Sequence, residues 1–379
     1  MLFNFEKTLY FLIGFIAFSL SFTSLREMGF GRSLEILFFL LVIIAIGHLI
    51  HYRKINFNLS FVPLIFFLFF LGPLTFLNSF QEFPGSSIET LFALILASIT
   101  GFAISQSSSP NMTLIAYGLG LCSLTILFVL LSSGFSIDGI TRFSALSKNP
   151  NQLALYSLAS LIIITIFMEH SIIRSILIIL LILCGALALS DAFFLAIAVG
   201  LFFYIFSKSV VSSAFLFFGL PAIIILITIS FLWINIFYDG SIIETLYTIW
   251  RAADQGGTRS SLYINGIIAF FYSPFLGYGG GAFAGISIPF EKYEAHNTLI
   301  DFATMGGIFL PIIFYFPFVI GFFSSLKKDS LQHAAISAFI AFSMFHFVGR
   351  HPIVWMAWGA CLTLYVLNKH RVQNLLAKY

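Results

Sequence analysis

Three side chains that could do chemistry lie in polar stretches between long apolar runs: Arg142, Arg259 and His296. Arg259 follows Thr258 at the start of a segment with helical spacing of apolar residues, and a helix N-terminus offers free N–H groups and a positive dipole end. A guanidinium at that point makes a site for phosphate or pyrophosphate. The alternative is a surface arginine paired with Asp254, and the residues alone leave both readings open.

His296 stands where a long polar segment returns to an apolar run. An imidazole there can accept a proton near neutral pH, although a structural role is the alternative. Arg142 either faces an anionic ligand or pairs with Asp138 in its own loop.

The tripeptide Asn149-Pro150-Asn151 opens another apolar run. Asn is a good N-cap and Pro suits the first helical position, so a structural role is the default. His346, Arg350 and His351 form a further polar cluster. The polar side chains that we assign to substrate binding are Arg251, Asn149, Asn151, Asn297, Arg350 and His351.

No acids have the spacing of metal ligands, and we predict neither a metal site nor a cofactor. Cys122, Cys184 and Cys361 all fall in apolar runs, which predicts no disulfide framework. A glycine run from 277 to 285 has no strand–turn–helix context, so we interpret it as a tight backbone crossing rather than a nucleotide loop.

The composition indicates which class of protein holds these residues. Hydrophobic residues make up 60% of the chain and charged residues 9%, and the mean hydropathy is +1.04, whereas soluble domains carry about 25% charged residues. The apolar runs have the length of membrane-spanning helices and no period-2 alternation. We therefore predict an all-α integral membrane protein with one membrane domain, 1–379, and no nucleic-acid partner. The predicted spans are 8–24, 34–52, 59–77, 88–105, 112–132, 151–168, 174–189, 192–207, 212–234, 298–323, 331–349 and 352–368.

These spans give about 12 transmembrane helices, or eleven if Ser190-Asp191 is not a turn and 174–207 is one element. Lys and Arg in the short loops favour a cytoplasmic N-terminus. A long outside loop, 235–297, then carries two short interfacial helices, 241–255 and 260–272. Asp191, at the outside end of a hairpin, is expected to face the bundle interior and pair with an arginine.

Several of these motifs resemble those of the bacterial O-antigen ligase/polymerase superfamily. They are Arg142 with 148–154 (KNPNQLA), Arg259 with 274–279 (PFLGYG), 295–299 (AHNTL) and Gly306-Gly307, in the family's order over roughly 130–325. The resemblance implies a GT-C-like, metal-independent glycosyltransferase. Its donor would be an oligosaccharide on undecaprenyl pyrophosphate, and Arg142, Arg259 and His296 would be its functional residues.

The resemblance also implies a multi-pass protein of the bacterial inner membrane whose active site faces the periplasm. Its acceptor would be either another glycan repeat unit or lipid A–core, and a chain-length-regulating partner is left open. Ser190-Asp191 stands where the family usually has Ser-Arg. That charge reversal counts against a ligase, and the length of the outside loop favours a repeat-unit polymerase.

A transporter or flippase of lipid-linked oligosaccharides is the alternative from another class. Transporters commonly have paired halves and polar residues at the membrane midplane. In this sequence the ionisable residues gather at one face and few lie at mid-membrane, which disfavours transport.

Overall fold

The computed structural model of the protein describes residues 2–21, 33–52, 59–80, 87–132, 149–207, 258–283, 293–326 and 329–376, and no β-strand occurs among them. The helices, numbered in chain order, are α1 Leu2–Ser19, α2 Ser33–His51, α3 Val62–Phe66, α4 Gly72–Phe80, α5 Ile88–Ser105, α6 Ser109–Ser132, α7 Pro150–Phe167, α8 Ile172–Leu187, α9 Asp191–Ser207, α10 Thr258–Tyr272, α11 Thr298–Gly306, α12 Phe309–Ser325, α13 Ser330–Ser343 and α14 Pro352–Leu376. A π-helical turn, Phe67–Leu71, joins α3 to α4 in one continuous run.

Apolar residues cover the outside of this bundle. Four described segments are long and apolar enough to cross a membrane: Ser33–His51, Leu59–Ser79, Ile88–Ser105 and Pro150–Phe167. Shorter apolar helices accompany them, and large side chains such as Phe69 and Phe128 are more than 70% exposed. Water would disfavour such a surface, whereas lipid suits it. The chain is thus an all-helical protein of the kind that embeds in a membrane.

The predicted spans agree with observed helices at most places. The segment 174–207 is two helices, α8 and α9, separated by a turn at 188–190. The predicted span 298–323 is instead broken into α11 and α12, because Gly307 adopts a φ of 59°. The span 331–349 is shorter than predicted, since α13 ends at Ser343. The predicted segments 212–234 and 241–255 lie outside the described residues.

Asp191 requires a correction. It was expected to face the bundle interior and pair with an arginine, but it is exposed at the first position of α9. No ion pair joins it to another residue of the described ranges. An exposed acid at a helix N-terminus interacts favourably with the helix dipole, and this explains the position without a buried partner.

The core forms around α7 and α14. In an 18-residue stretch of each helix, 78% of α7 is buried against 22% of α2, so α7 is central and α2 peripheral. α14 packs on α5, α7 and α12. The crossing of α5 and α14 needs small residues, because a Cβ on Gly359 would approach the carbonyl oxygen of Gly101 within 2.5 Å. Close backbone approach at glycine is common between membrane helices.

The glycine run forms the predicted backbone crossing. Tyr278 N donates to Thr304 O and Gly279 N donates to Met305 O, both at 2.9 Å, which fastens the run to the end of α11. Gly280 N donates to the Thr75 hydroxyl at 2.7 Å. Gly277 has a φ of 68° and its α-carbon faces the Met305 carbonyl, so a side chain fits neither the conformation nor the space.

The bundle has two distinct polar ends. At one, which we call the site end, Leu20 after α1, the N-terminal halves of α2, α5 and α7, and the start of α14 surround a cavity. At the other, the far end, Arg174 in the first turn of α8 bonds Asp329, the N-cap of α13. The predicted topology placed these two groups of residues on opposite sides of the membrane, and the structure places them at opposite ends of the bundle.

Candidate functional site

The segment 293–297 packs against α10. Leu262 of α10 and Ala295 form a small buried cluster with Tyr263 and Ile300. Arg259 lies in the first turn of α10, as predicted, so this packing brings its guanidinium to the neighbourhood of His296. Two residues that are 37 positions apart in sequence therefore belong to one site.

The backbone around His296 is held on both sides. Ala295 N donates to the Asp301 carboxylate at 2.9 Å, and the Asn297 side chain caps α11 by accepting from Leu299 N and Ile300 N. His296 itself has a φ of 54°. A non-glycine residue in this left-handed region costs about 1–2 kcal/mol, and such strain is concentrated at functional sites.

A second connection joins α11 to the turn 344–351. The Thr298 hydroxyl donates to His346 O at 2.6 Å and accepts from Val348 N at 3.0 Å. The His346 ring stacks on Phe342, with centroids 4.8 Å apart, and meets the His296 ring edge-on at 6.1 Å. His346, expected in an outward cluster with Arg350 and His351, is thus a direct neighbour of His296.

Burial and positive charge keep these imidazoles neutral. Burial lowers the pKa of His296, and the charges of Arg259 and Arg350 lower it further. Burial, followed by His296 and Arg259, lowers the pKa of His346 to about 3. Burial and Arg350 lower the pKa of His351 to about 3. At neutral pH each ring therefore keeps a nitrogen lone pair that can accept a proton or hydrogen bond.

The Arg259 guanidinium has no hydrogen-bond or ion-pair partner among the described residues. Its Nε is buried, and neither this nitrogen nor the terminal ones bond any residue in the part of the chain that the structure describes. A buried donor left unsatisfied costs about 1–3 kcal/mol. The expected alternative, pairing with Asp254, lies outside the described residues. The arrangement leaves the guanidinium available to an anion.

Arg350 is held differently. Its Nη1 donates to Glu294 Oε1 at 2.5 Å, and the arginine side chain is 48% exposed against 17% for the glutamate. Burial raises the pKa of Glu294, and Arg350 opposes this shift. The pair ties the start of α14 to the residue two positions before His296 and keeps a positive charge near the imidazole.

The other predicted site residues fall into two groups. Asn149 and Asn151 lie at the site end, where the Asn149 side chain caps α7 by accepting from Asn151 N at 3.0 Å. Asn297 likewise uses its side-chain oxygen as a cap, so a structural role accounts for both cap residues. Arg142 and Arg251 lie outside the described residues.

No protein-family model matches the chain, and no curated protein matches its sequence. The site must therefore be interpreted from its own chemistry. Within the described ranges, no group of three or more His, Cys, Asp or Glu residues could hold a metal ion. The site brings together the Arg259 guanidinium, which no described residue bonds, the neutral imidazole of His296 with that of His346 beside it, and the Arg350–Glu294 ion pair.

The sequence did not identify every residue that orders this site. Glu294, Thr298 and Asp301 were given no role, yet each fixes the backbone beside His296. An acid one turn after the helix cap Asn297 was the available signal for Asp301, because such a carboxylate can accept from the N–H groups before the helix. Thr298 and Glu294 bond residues about fifty positions away, and local sequence carries no signal for such contacts.

Proposed function

We propose that the protein is a membrane glycosyltransferase, with an oligosaccharide on undecaprenyl pyrophosphate as donor. The observation that carries the proposal is the half-buried Arg259 guanidinium, without a partner among the described residues, beside the neutral imidazole of His296. A pyrophosphate leaving group needs positive charge, and an attacking hydroxyl needs a proton acceptor. The site supplies one of each.

Arg259 would neutralise the pyrophosphate as it leaves. The C–O bond between the anomeric carbon and the phosphate oxygen breaks, and the electron pair goes to the phosphate. A guanidinium binds two phosphate oxygens in parallel, and preorganised charge of this kind is usually the largest contribution in such sites. Arg142, from the resemblance, is proposed as the second guanidinium.

His296 would accept the proton of the attacking sugar hydroxyl while the new glycosidic bond forms. Such a base contributes roughly 10²–10⁴-fold to the rate. The neighbouring arginines disfavour an imidazolium, but the departing pyrophosphate brings negative charge at the same moment. Proton transfer and departure of the leaving group therefore stabilise each other.

The wider setting is also proposed. We place the protein in the bacterial inner membrane as a GT-C-like bundle of about 12 spans, with the site end facing the periplasm. We assign it to repeat-unit polymerisation in surface polysaccharide assembly. The ligase reaction, with lipid A–core as acceptor, is the close alternative within the same chemistry.

An acceptor test addresses the proposal directly. The full-length protein in lipid nanodiscs receives the host's own undecaprenyl-pyrophosphate-linked repeat unit, with or without lipid A–core, and products are separated on a gel. A ladder without core lipid is the expected result. Transfer that occurs only with core lipid would establish the ligase instead, and no product from a verified donor would overturn the proposed activity.

The variant His296→Asn makes the test specific, because Asn tolerates the left-handed conformation and removes the imidazole. We expect folded protein with roughly 10²–10⁴-fold slower turnover. The variant Glu169→Gln removes an exposed charge between α7 and α8 and serves as a control. Turnover unchanged in His296→Asn would exclude the imidazole as the base.

A further inference from the structure

The proposed reaction gives no role to the second imidazole of the site, that of His346. This residue lies in the turn after α13 and is half-buried. Its ring meets the His296 ring edge-on, with centroids 6.1 Å apart. At that separation the two rings do not hydrogen-bond each other, whereas one ligand oxygen between them can contact both. His346 therefore lies within reach of a ligand that His296 binds.

His346 is held in place by two contacts. Its ring stacks on Phe342 of α13, with centroids 4.8 Å apart and an interplanar angle of 29°. Its backbone carbonyl accepts from the Thr298 hydroxyl at 2.6 Å, and Thr298 lies two positions after His296. The two imidazoles are thus fixed to each other before any ligand binds. A preorganised donor needs no rearrangement when charge develops in a reaction.

Packing explains the position of the His346 ring but not why the ring is an imidazole. Stacking on Phe342 needs only an aromatic side chain, which a phenylalanine would also supply. Neither ring nitrogen of His346 hydrogen-bonds a residue of the described ranges, and neither nitrogen is fully buried. Both nitrogens therefore face space that a ligand can enter.

The charge around His346 decides which kind of ligand its ring meets. The Arg259 charge acts on both imidazoles, and no described residue bonds that guanidinium. Burial, followed by His296 and Arg259, lowers the pKa of His346 to about 3. The ring is therefore neutral at pH 7, with one N–H donor and one lone pair. Arg259 repels a cation, whereas an anion held by the guanidinium has this neutral N–H beside it.

We propose that His346 is a further catalytic residue, whose ring N–H donates a hydrogen bond to a phosphate oxygen of the anion that Arg259 binds. As the pyrophosphate leaves, negative charge grows on that oxygen and the hydrogen bond becomes stronger. No proton leaves His346, and His296 remains the base. That the anion is the pyrophosphate of the donor rests on the proposed function; binding of a phosphate-bearing anion by Arg259 and His346 does not.

The alternative is that His346 only packs the turn 344–351 against Phe342. In that case His346→Phe keeps the stacking, the fold and all of the affinity for anions. If the ring donates to an anion, the same variant folds but binds the anion less tightly. Anion binding by His346→Phe therefore separates the two explanations.

The first measurement is the affinity of the full-length protein for inorganic pyrophosphate, in nanodiscs of phosphatidylcholine, which carries no net charge. Calorimetry compares the wild type, His346→Phe and a matched control, His51→Phe, at the exposed last residue of α2. Loss of one hydrogen bond to a charged group predicts about ten- to hundredfold weaker binding for His346→Phe, with His51→Phe unchanged. Thermal unfolding checks that both variants fold.

Two amide variants make the measurement specific to the N–H. The amide N–H of Asn lies near the position of Nδ1, and that of Gln lies near the position of Nε2. One of His346→Asn and His346→Gln should recover most of the pyrophosphate affinity that His346→Phe loses. Affinity that is equal in the wild type and His346→Phe, or lost in all three variants, would overturn the inference.

Turnover of the lipid-linked repeat unit separates this inference from the proposed function. We expect kcat of His346→Phe to fall by about ten- to hundredfold, because the hydrogen bond strengthens as the leaving group departs. Equal turnover by the wild type and His346→Phe would overturn the catalytic role. Pyrophosphate binding that depends on His346, without turnover of a verified donor by the wild type, would support the anion site and count against the proposed function.

Discussion

Arg174 at the far end and Arg259 at the site end both lie in the first turn of a helix, but the protein surrounds them differently. Arg174 is 3% exposed and donates to Asp329 Oδ2 at 2.8 Å and to Thr165 O at 2.9 Å, with His170 also in contact. Arg259 has none of these bonds to described residues. The Nε of each arginine lacks a hydrogen-bond partner among the described residues, so the difference lies at the terminal nitrogens: those of Arg174 are bonded within the protein, and no described residue bonds those of Arg259.

The bonding of the two arginines indicates which of them has a structural role. Arg174 joins α7, α8 and α13, because its partners come from the end of α7 and the N-cap of α13. Removing one member of a buried ion pair strands the other charge. Removing Arg259 strands no described residue, so its loss should reduce function rather than stability.

The largest expected effect follows from the far end. Arg174→Met should destabilise the protein by about 3–5 kcal/mol, because the partly buried Asp329 loses its guanidinium partner at 2.8 Å and keeps only the exposed His170 ring, 3.7 Å away. Arg174→Met/Asp329→Asn should recover most of that loss, since Asn removes the charge and can still cap α13. Unfolding in detergent with a chaotrope measures both. Equal stability of the single and double variants would show that the ion pair is not what joins the helices.

Arg259→Ala should have the opposite profile. We expect turnover of the lipid-linked donor to fall by about 10²–10³-fold, comparable to removal of one preorganised electrostatic contact, while the unfolding midpoint stays near that of the wild type. Inorganic pyrophosphate should also inhibit the variant less. A variant that unfolds early, with normal turnover per folded molecule, would make Arg259 a structural residue like Arg174.

The same two ends show what sequence could and could not predict. Apolar runs predicted most helices because a segment in lipid must satisfy its own backbone N–H and C=O groups, and a helix does so. The break between α11 and α12 at Gly307 was not predicted. Gly is tolerated inside apolar helices, and only its φ of 59° shows the turn. Arg259 and His296 were predicted as site residues from local signals, namely a helix start and a loop returning to an apolar run; the structure brings the two together, and their roles stay a prediction.

Long-range pairings were not predictable. Arg174 and Asp329 are separated by 155 positions, and Arg350 and Glu294 by 56. Neither pair has a local pattern, so local sequence predicts no partner for Arg174. Asp191 was misplaced for a related reason: the cost of a charge in lipid was considered, but its exposure at the start of α9 was not visible in the sequence.

A smaller effect concerns pH. Because the pKa of His296 is lowered, the base stays neutral as pH falls through 6.5, and the acid limb of kcat/KM should lie below that value. Arg350→Gln removes a charge that lowers this pKa, so the limb should move to higher pH. Arg350→Lys keeps the charge and should leave the limb nearer its wild-type position. A limb that is the same in all three proteins would exclude His296 as the titrating base.

The smallest effect comes from the other strained residue. Leu189, in the turn between α8 and α9, has a φ of 45°, and His296 has a φ of 54°. Leu189→Gly should stabilise the protein by up to about 1 kcal/mol, because Gly adopts this conformation without the steric cost. His296→Gly should gain similar stability but lose turnover. Comparing the two by thermal unfolding and donor turnover tests whether the strain at His296 is kept for its imidazole; a His296→Gly variant with full turnover would show that it is not.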